Sequence, residues 1–204
     1  MAINRKKIID DMSKLKFAGN ENGLIEGFGV LVNQLPSDFW NGFAERLTSK
    51  VDPAMVDTTE YLLVNAAQEC GYHTGFGIIT SDEWKAIVEP MIEKIPEDIL
   101  HGAFAVFAAW GWANTEIIEL IPGEKMVVRA YNYYESDVVK FGKSNKMSAY
   151  MIRGVSAAFM GLAYGGAYDA SGKAEGMTMF SCRQTKGIEC GDDYGEFLIT
   201  KAIE

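Results

Sequence analysis

Cys70 and His73 stand three residues apart, a spacing that on a helix places a thiol and an imidazole on one face. Together they form half of a zinc site, and Cys182 with Cys190 would complete a four-ligand set. Nothing in the sequence brings those two pieces together. The plainer reading of free cysteines is as small buried hydrophobes, so no metal is expected. His73 sits in Gly71-Tyr72-His73-Thr74-Gly75, where it can act as a general base or polar anchor. The alternative is a histidine hydrogen-bonded to backbone at a helix end. Glu135 and Asp137 follow an aromatic strand-like segment, yet the carboxylates as a whole are scattered and read as solvated surface. Gly71-x-x-x-Gly75-x-Gly77 has no preceding strand and no Lys or Ser/Thr where a phosphate loop needs them. Ser156 and Ser181 lack the Gly-x-Ser-x-Gly setting of a hydrolase nucleophile.

The richest aromatic concentration is Trp110, Trp112, Tyr131, Tyr133, Phe159 and Tyr164, with Tyr134 and Met160 among them. A pocket for an apolar or aromatic ligand needs such walls and a few orienting polar groups. Taken singly, each of these residues reads as ordinary core. Gly154, Ala158, Gly161 and Gly165 recur at helical spacing, which leaves one helix face nearly free of side chains. That face either admits a neighbouring element closely or leaves room for a ligand.

The elements that must position these groups follow from periodicity. Residues 3–17 predict an amphipathic helix, and Leu24 to Leu35 a short helical segment despite Gly27 and Gly29. Pro36-Ser37-Asp38 opens a helix over Phe39 to Ser49, and Asp52-Pro53 opens another. A long helix starts at Thr58 or Thr59 and either runs on through Gly77 or stops at Gly71. Ser81-Asp82-Glu83-Trp84 caps a helix to about Lys94, and Pro96-Glu97-Asp98 one over Ile99 to Ala109. Thr115 to Ile121 and Lys125 to Tyr133 are strand-like around the turn Pro122-Gly123-Glu124. Simple alternation puts Val128, Ala130 and Asn132 on one face, and Val127, Arg129, Tyr131 and Tyr133 on the other. Ala149 to Tyr168 is a second very apolar helix, and Asp169 to Gly176 a polar loop. Met177 to Gly187 and Tyr194 to Ala202 make a second hairpin around Gly191-Asp192-Asp193. The sum is an α+β fold: N-terminal helices, then an antiparallel sheet in the order strand-strand-helix-strand-strand, packed on apolar helices.

Composition sets the limits. With 204 residues, 48% hydrophobic and 23% charged, the chain is an ordinary globular sequence. Lys and Arg number 19 against 28 Asp and Glu, a net charge of −9, which opposes a general nucleic-acid face. Only Ala149 to Tyr168 approaches the length of a membrane span. Arg153 and four glycines weaken insertion, so a buried core helix is expected. The N-terminus lacks the apolar run of a secretory signal, and three cysteines fit a reducing compartment, so the expected location is cytoplasmic.

The second half resembles the 4-vinyl-reductase domain family of hydrocarbon-binding domains. The likeness rests on an apolar helix ending in Trp110-Gly111-Trp112, a hairpin, a second apolar helix, and a closing strand with Gly191-Asp192-Asp193-Tyr194-Gly195-Glu196-Phe197. That closing motif is similar to one in 2-aminothiazoline-4-carboxylate hydrolase-like proteins. The resemblance covers residues 58–202, so we divide the chain into an N-terminal helical segment, 1–57, packed on a ligand-binding domain, 58–204. It implies a cytoplasmic binder of a small hydrophobic or aromatic molecule, held between the apolar helices and the antiparallel sheet and associated as a homodimer; no cofactor is expected. Trp110, Trp112, Tyr131, Tyr133, Phe159 and Tyr164 would line the site. The alternative it implies is a hydrolase acting on a cyclic amide or amidine, with His73, Cys70 and Glu135 as the residues to test. Two cysteines help to hold zinc in sensors of this family. Aligning Gly191 and Phe197 puts Gly187 and Gly195 where those cysteines would be, and glycine offers no ligand atom.

Overall fold

Asn4 accepts a hydrogen bond from the Lys7 amide and starts α1 (Arg5–Met12), which buries Ile8 and Met12. The computed structural model describes residues 3–169 and 175–202. The segment Leu24 to Leu35, expected to be helical, is instead a two-stranded hairpin, β1 (Ile25–Gly27) and β2 (Val30–Val32). Its turn residues Phe28 and Gly29 both have positive φ, 54° and 69°, the backbone of a tight two-residue hairpin turn. A non-glycine residue adopts that backbone at some cost. Phe28 offsets it by complete burial against Phe17 and Trp110, with ring centroids 5.0 and 4.6 Å away.

α2 (Ser37–Lys50) follows Pro36 and buries none of its residues fully. Gly42 lies inside it, and a Cβ built there meets nothing within 4 Å. Gly42→Ala is therefore expected to raise stability by about 0.5–1 kcal/mol, read as a higher urea midpoint; an unchanged or lower midpoint would contradict the open environment. After a 3-10 turn over Pro53–Met55 comes α3 (Val56–Thr80), which runs unbroken through Gly71, Gly75 and Gly77. α4 (Asp82–Ile87) is capped by Ser81, whose hydroxyl accepts from the Trp84 amide at 3.1 Å. It stops well before Lys94 because Pro90 falls in the next turn, Glu89–Met91. α5 (Glu97–Ala109) buries eight of its 13 residues and exposes none of them fully.

The second half holds β3 (Ala113–Ile121), β4 (Lys125–Tyr133), α6 (Val138–Phe141), α7 (Tyr150–Tyr164), α8 (Glu175–Thr178), β5 (Phe180–Lys186) and β6 (Gly195–Lys201). The expected polar loop over Asp169 to Gly176 lies partly outside the described residues. The four strands form an antiparallel sheet in the order β3-β4-β6-β5. One face of the sheet packs on α5 and α7 through Met126, Val128, Ala130, Phe180, Phe197 and Ile199. The fold is thus α+β, with antiparallel sheet on helices. Among the described residues no helix is long and apolar enough to cross a membrane.

Strand β4 departs from simple alternation. Asn114 pairs with Asn132 but Thr115 with Ala130, so Tyr131 is an extra residue on β4. A bulge of this kind reverses the side-chain parity beyond it. Tyr133 therefore turns inward with Val128 and Ala130, while Asn132 is exposed.

The glycine-rich face of α7 is a packing surface. A Cβ at Gly154 would lie 2.4 Å from the Val64 carbonyl oxygen, and one at Gly71 would lie 2.9 Å from the Val155 Cα. α3 and α7 are in backbone contact here, leaving no room for a ligand between them. The N-terminal residues pack on the rest of the chain: Arg5 donates to the carbonyls of His101 and Thr115, and Phe28 covers Trp110.

Candidate functional site

α2 lies beside α3, and the two helices wall a cleft of about 660 Å³. Its floor is the 3-10 turn Tyr134–Ser136, which follows β4, together with the start of α7. Apolar walls come from Trp40, Phe43, Leu63, Tyr134 and Met151. Asn41 ties α2 to the floor by donating to the Tyr134 carbonyl at 2.7 Å, and Lys140 pairs with Asp38 at the helix start.

Glu135 is the cleft's central polar group. Helix α7 begins at Ala149 without a side-chain cap of its own, so its first amides need an acceptor. Glu135 supplies it: Oε1 accepts from the Met151 amide at 2.8 Å and Oε2 from the Ile152 amide at 3.1 Å. The residue is half-buried because one side reaches the cleft, while packed atoms keep bulk water from the carboxyl. That burial pushes its pKa up to about 8; the two amides oppose the shift, and nearby Glu189 adds to it.

Two further polar groups brace the floor. Tyr150 donates to Glu60 Oε1 at 2.9 Å, and Lys146 reaches Glu60 Oε2 at 2.7 Å. Below them Glu189, buried, accepts from the Tyr133 hydroxyl, from Gln184 Nε2 at 2.8 Å and from the Ser148 amide at 3.0 Å. The Ile188 amide donates in turn to the Tyr133 hydroxyl at 3.0 Å. Burial and the Glu189 contact raise the Tyr133 pKa strongly, so its hydroxyl stays protonated. The network holds the segment before α7 rigidly against the sheet.

Of the three candidate catalytic residues, Cys70 and Glu135 line the cleft and His73 does not. His73 Nδ1 is 2.8 Å from the Tyr168 hydroxyl, within a cluster where Phe76 stacks on Tyr168 at 3.6 Å. Cys70 is exposed, with its Sγ 3.8 Å from Thr74 Oγ1. Among the described residues no hydrogen bond joins any two of the three.

The six aromatic residues expected at a ligand site lie elsewhere than in the cleft lining. Trp110 covers Phe28, and Phe159 is core beside Phe104. Tyr131 is on the outer face of the sheet and donates to Glu116 at 3.1 Å. Tyr133 serves the Glu189 network, and the buried Tyr164 hydroxyl has no partner among the described residues. Trp112 comes nearest, its ring edge-on to that of Tyr134 with centroids 5.9 Å apart. The residues that do form the walls include Trp40 and Phe43 on α2. Their signal in the sequence is the apolar series Phe39, Trp40, Phe43 and Leu47 at helical spacing.

Among the described residues no group of three or more His, Cys, Asp or Glu is placed to hold a metal. Cys182 is buried, its thiol pushed up to about 12 by desolvation, and Cys190 is half-buried. A Cβ at Gly187 would fall 2.8 Å from Gln184 Nε2, and one at Gly195 would fall 2.7 Å from the Tyr133 ring. The Tyr133–Glu189–Gln184 network thus crowds the two positions where the family resemblance would put zinc-holding cysteines.

No known family profile matches the chain, and no curated protein matches its sequence. Among solved structures, the fold is similar to the phenol-responsive sensory domain of the transcription activator PoxR, crystallised with phenol. The TM-score is 0.66 at 12% identity, covering 98% of this chain and 92% of that one. A second similarity is to trafficking protein particle complex subunit 3 from Naegleria fowleri, covalently bound to palmitic acid. There the TM-score is 0.46 at 14% identity, covering 82% of this chain and 95% of that one. The first likeness is one of fold, and the second is too distant to support an argument.

Proposed function

We propose that the protein binds a small hydrophobic or aromatic molecule in the cleft between α2 and α3. The observation that carries this reading is a cleft of about 660 Å³ with Trp40, Phe43, Leu63 and Tyr134 as walls and Glu135 as a desolvated polar group at its floor. Apolar walls with one or two fixed polar groups are what a small-molecule site requires: area supplies affinity and the polar group orientation. The phenol-bound PoxR domain, which shares the fold, supports the same class of ligand. The reading extends to membership of the 4-vinyl-reductase group, a homodimer and a cytoplasmic setting. The family resemblance supports the first two, and the three free thiols support the third.

Filling the cleft tests the proposal. Ala66 is exposed on α3 and lines the cleft, so Ala66→Trp places an indole inside it without disturbing the core. The wild type is expected to bind naphthalene-2-methanol saturably, followed by quenching of tryptophan fluorescence or by NMR shifts. Ala66→Trp is expected to weaken that binding at least tenfold with an unchanged melting temperature. Undiminished binding by the folded variant would place the ligand elsewhere.

A further inference from the structure

The charges around the cleft are lopsided. Its lining carries five carboxylates, those of Glu45, Glu60, Glu135, Asp137 and Glu189, against the ammonium groups of Lys143 and Lys146. Most of these groups are committed. Lys146 is held by Glu60 at 2.7 Å and Asp57 at 3.4 Å. Glu189 is saturated by Tyr133, Gln184 and the Ser148 amide, and Asp137 accepts from the Lys140 amide at 3.0 Å. Glu135 is different: it is desolvated, faces the cleft, and has only backbone amides as partners, with no cation paired to it among the described residues.

A carboxylate offers about four lone-pair sites, so the Met151 and Ile152 amides leave Glu135 with acceptor capacity toward the cleft. A buried carboxylate in an apolar setting gains most from a cationic, multiply donating partner. Trp40 and Tyr134 are among the lining residues, and the faces of such aromatic rings attract cations. An anionic headgroup, by contrast, would find the N-terminus of α7 already occupied by Glu135 and would meet the surrounding carboxylates. The net charge of −9 acts at long range in the same sense.

We propose that the cleft selects an aromatic cation, an amidine or protonated amine on an aromatic ring, with the positive group held by Glu135. This rests on the reading of the cleft as the ligand site. Binding would favour the ionised carboxylate. Affinity for such a cation should therefore rise with pH as Glu135, pushed up to about 8, loses its proton. The other titratable and charged groups facing it are Glu45 on α2, Glu60 and Cys70 on α3, Tyr134 and Asp137 beside it, and Tyr150 on α7. Glu189 stands behind it, and Lys143 and Lys146 also line the cleft.

The test uses three probes with one bicyclic body on the full chain: naphthalene-2-carboxamidine, naphthalene-2-methanol and naphthalene-2-carboxylate. At pH 9 the amidine is expected to bind at least tenfold tighter than the alcohol, with the carboxylate weakest. Glu135→Gln should bring the amidine down to the affinity of the alcohol. Since that variant disturbs the α7 cap, the wild type supplies an independent measurement. Between pH 6 and pH 9 its amidine affinity should rise about tenfold while the alcohol affinity stays level. Equal affinities for amidine and alcohol, a flat pH profile, or preference for the carboxylate would overturn the inference. In those cases alcohol binding that Ala66→Trp abolishes would leave the cleft reading standing. Absence of binding by all three probes would overturn both.

Discussion

Gly154→Ala is expected to lower the stability of the protein by about 3 kcal/mol, or roughly 6–12 °C in melting temperature. In an open helix the same change would add up to about 1 kcal/mol, as expected at Gly42. The difference is what the methyl group meets. At Gly154 it would lie 2.4 Å from the Val64 carbonyl oxygen, 2.5 Å from the Gln68 amide nitrogen and 2.5 Å from the Ala67 Cβ. Two of those atoms are backbone of a 25-residue helix, which cannot yield locally as a side chain can. α7 must therefore back away from α3. Gln68 is itself held in place, because its side-chain Nε2 donates to the Met177 and Phe180 carbonyls at 2.7 and 2.8 Å. Urea denaturation of wild type, Gly154→Ala and Gly42→Ala checks both signs at once. A Gly154→Ala protein as stable as wild type would refute the direct helix contact.

Stability should fall as pH rises from about 5 to about 8, and Glu135 should be a principal cause. Burial raises its pKa from the ordinary carboxyl value to about 8, so across that window the folded state holds a proton that the unfolded chain has released. The folded state then binds more protons than the unfolded one, and linkage requires stability to decrease with pH. Below the unfolded pKa both states are protonated and the loss vanishes; above about 8 both are ionised and it is complete. The span is on the order of a few kcal/mol. Glu135→Gln should flatten the slope of the urea midpoint between pH 5 and pH 8.5. At the acid end of that range it should cost about 1 kcal/mol, because the –NH2 that replaces one carboxylate oxygen is a donor and cannot accept from the amide which that oxygen served; the deficit should shrink or reverse towards pH 8.5, where the wild type has lost its own advantage. A variant retaining the wild-type slope would mean that another group carries it.

Much of the architecture was legible in the chain. The hairpin around Pro122-Gly123-Glu124, the apolar helix that became α5 and the closing strands announce themselves through local periodicity and turn chemistry. The Gly191-Asp192-Asp193 turn forms as its residues suggest, with Gly191 at a φ of 102°. Elsewhere a longer-range contact overrides local propensity. Leu24 to Leu35 looks helical until Phe28 is seen held in a left-handed turn by burial against Trp110. Tyr133 looks like a partner of Tyr131 until the register shows Tyr131 to be the extra residue of a bulge.

The candidate cleft was less legible than the fold, and for a related reason. Aromatic density in the sequence is highest where the core is built, so Trp110 and Phe159 are used up in packing. The cleft draws instead on Trp40 and Phe43, some ninety residues before Glu135. Residue types and their spacing alone determined an acidic α+β protein with an apolar interior and offered His73, Cys70 and Glu135 as candidates, while the family resemblance pointed to glycines where zinc-holding cysteines would stand. Tertiary structure alone decided that the glycine stripe of α7 packs against α3 at Gly154 and against α8 at Gly161, that His73 is engaged by Tyr168, and that Glu135 caps α7 at the floor of the cleft. The physical reason is that helical and strand periodicity are properties of neighbouring residues. Desolvation, capping from another element and a cleft between helices exist only once distant segments meet.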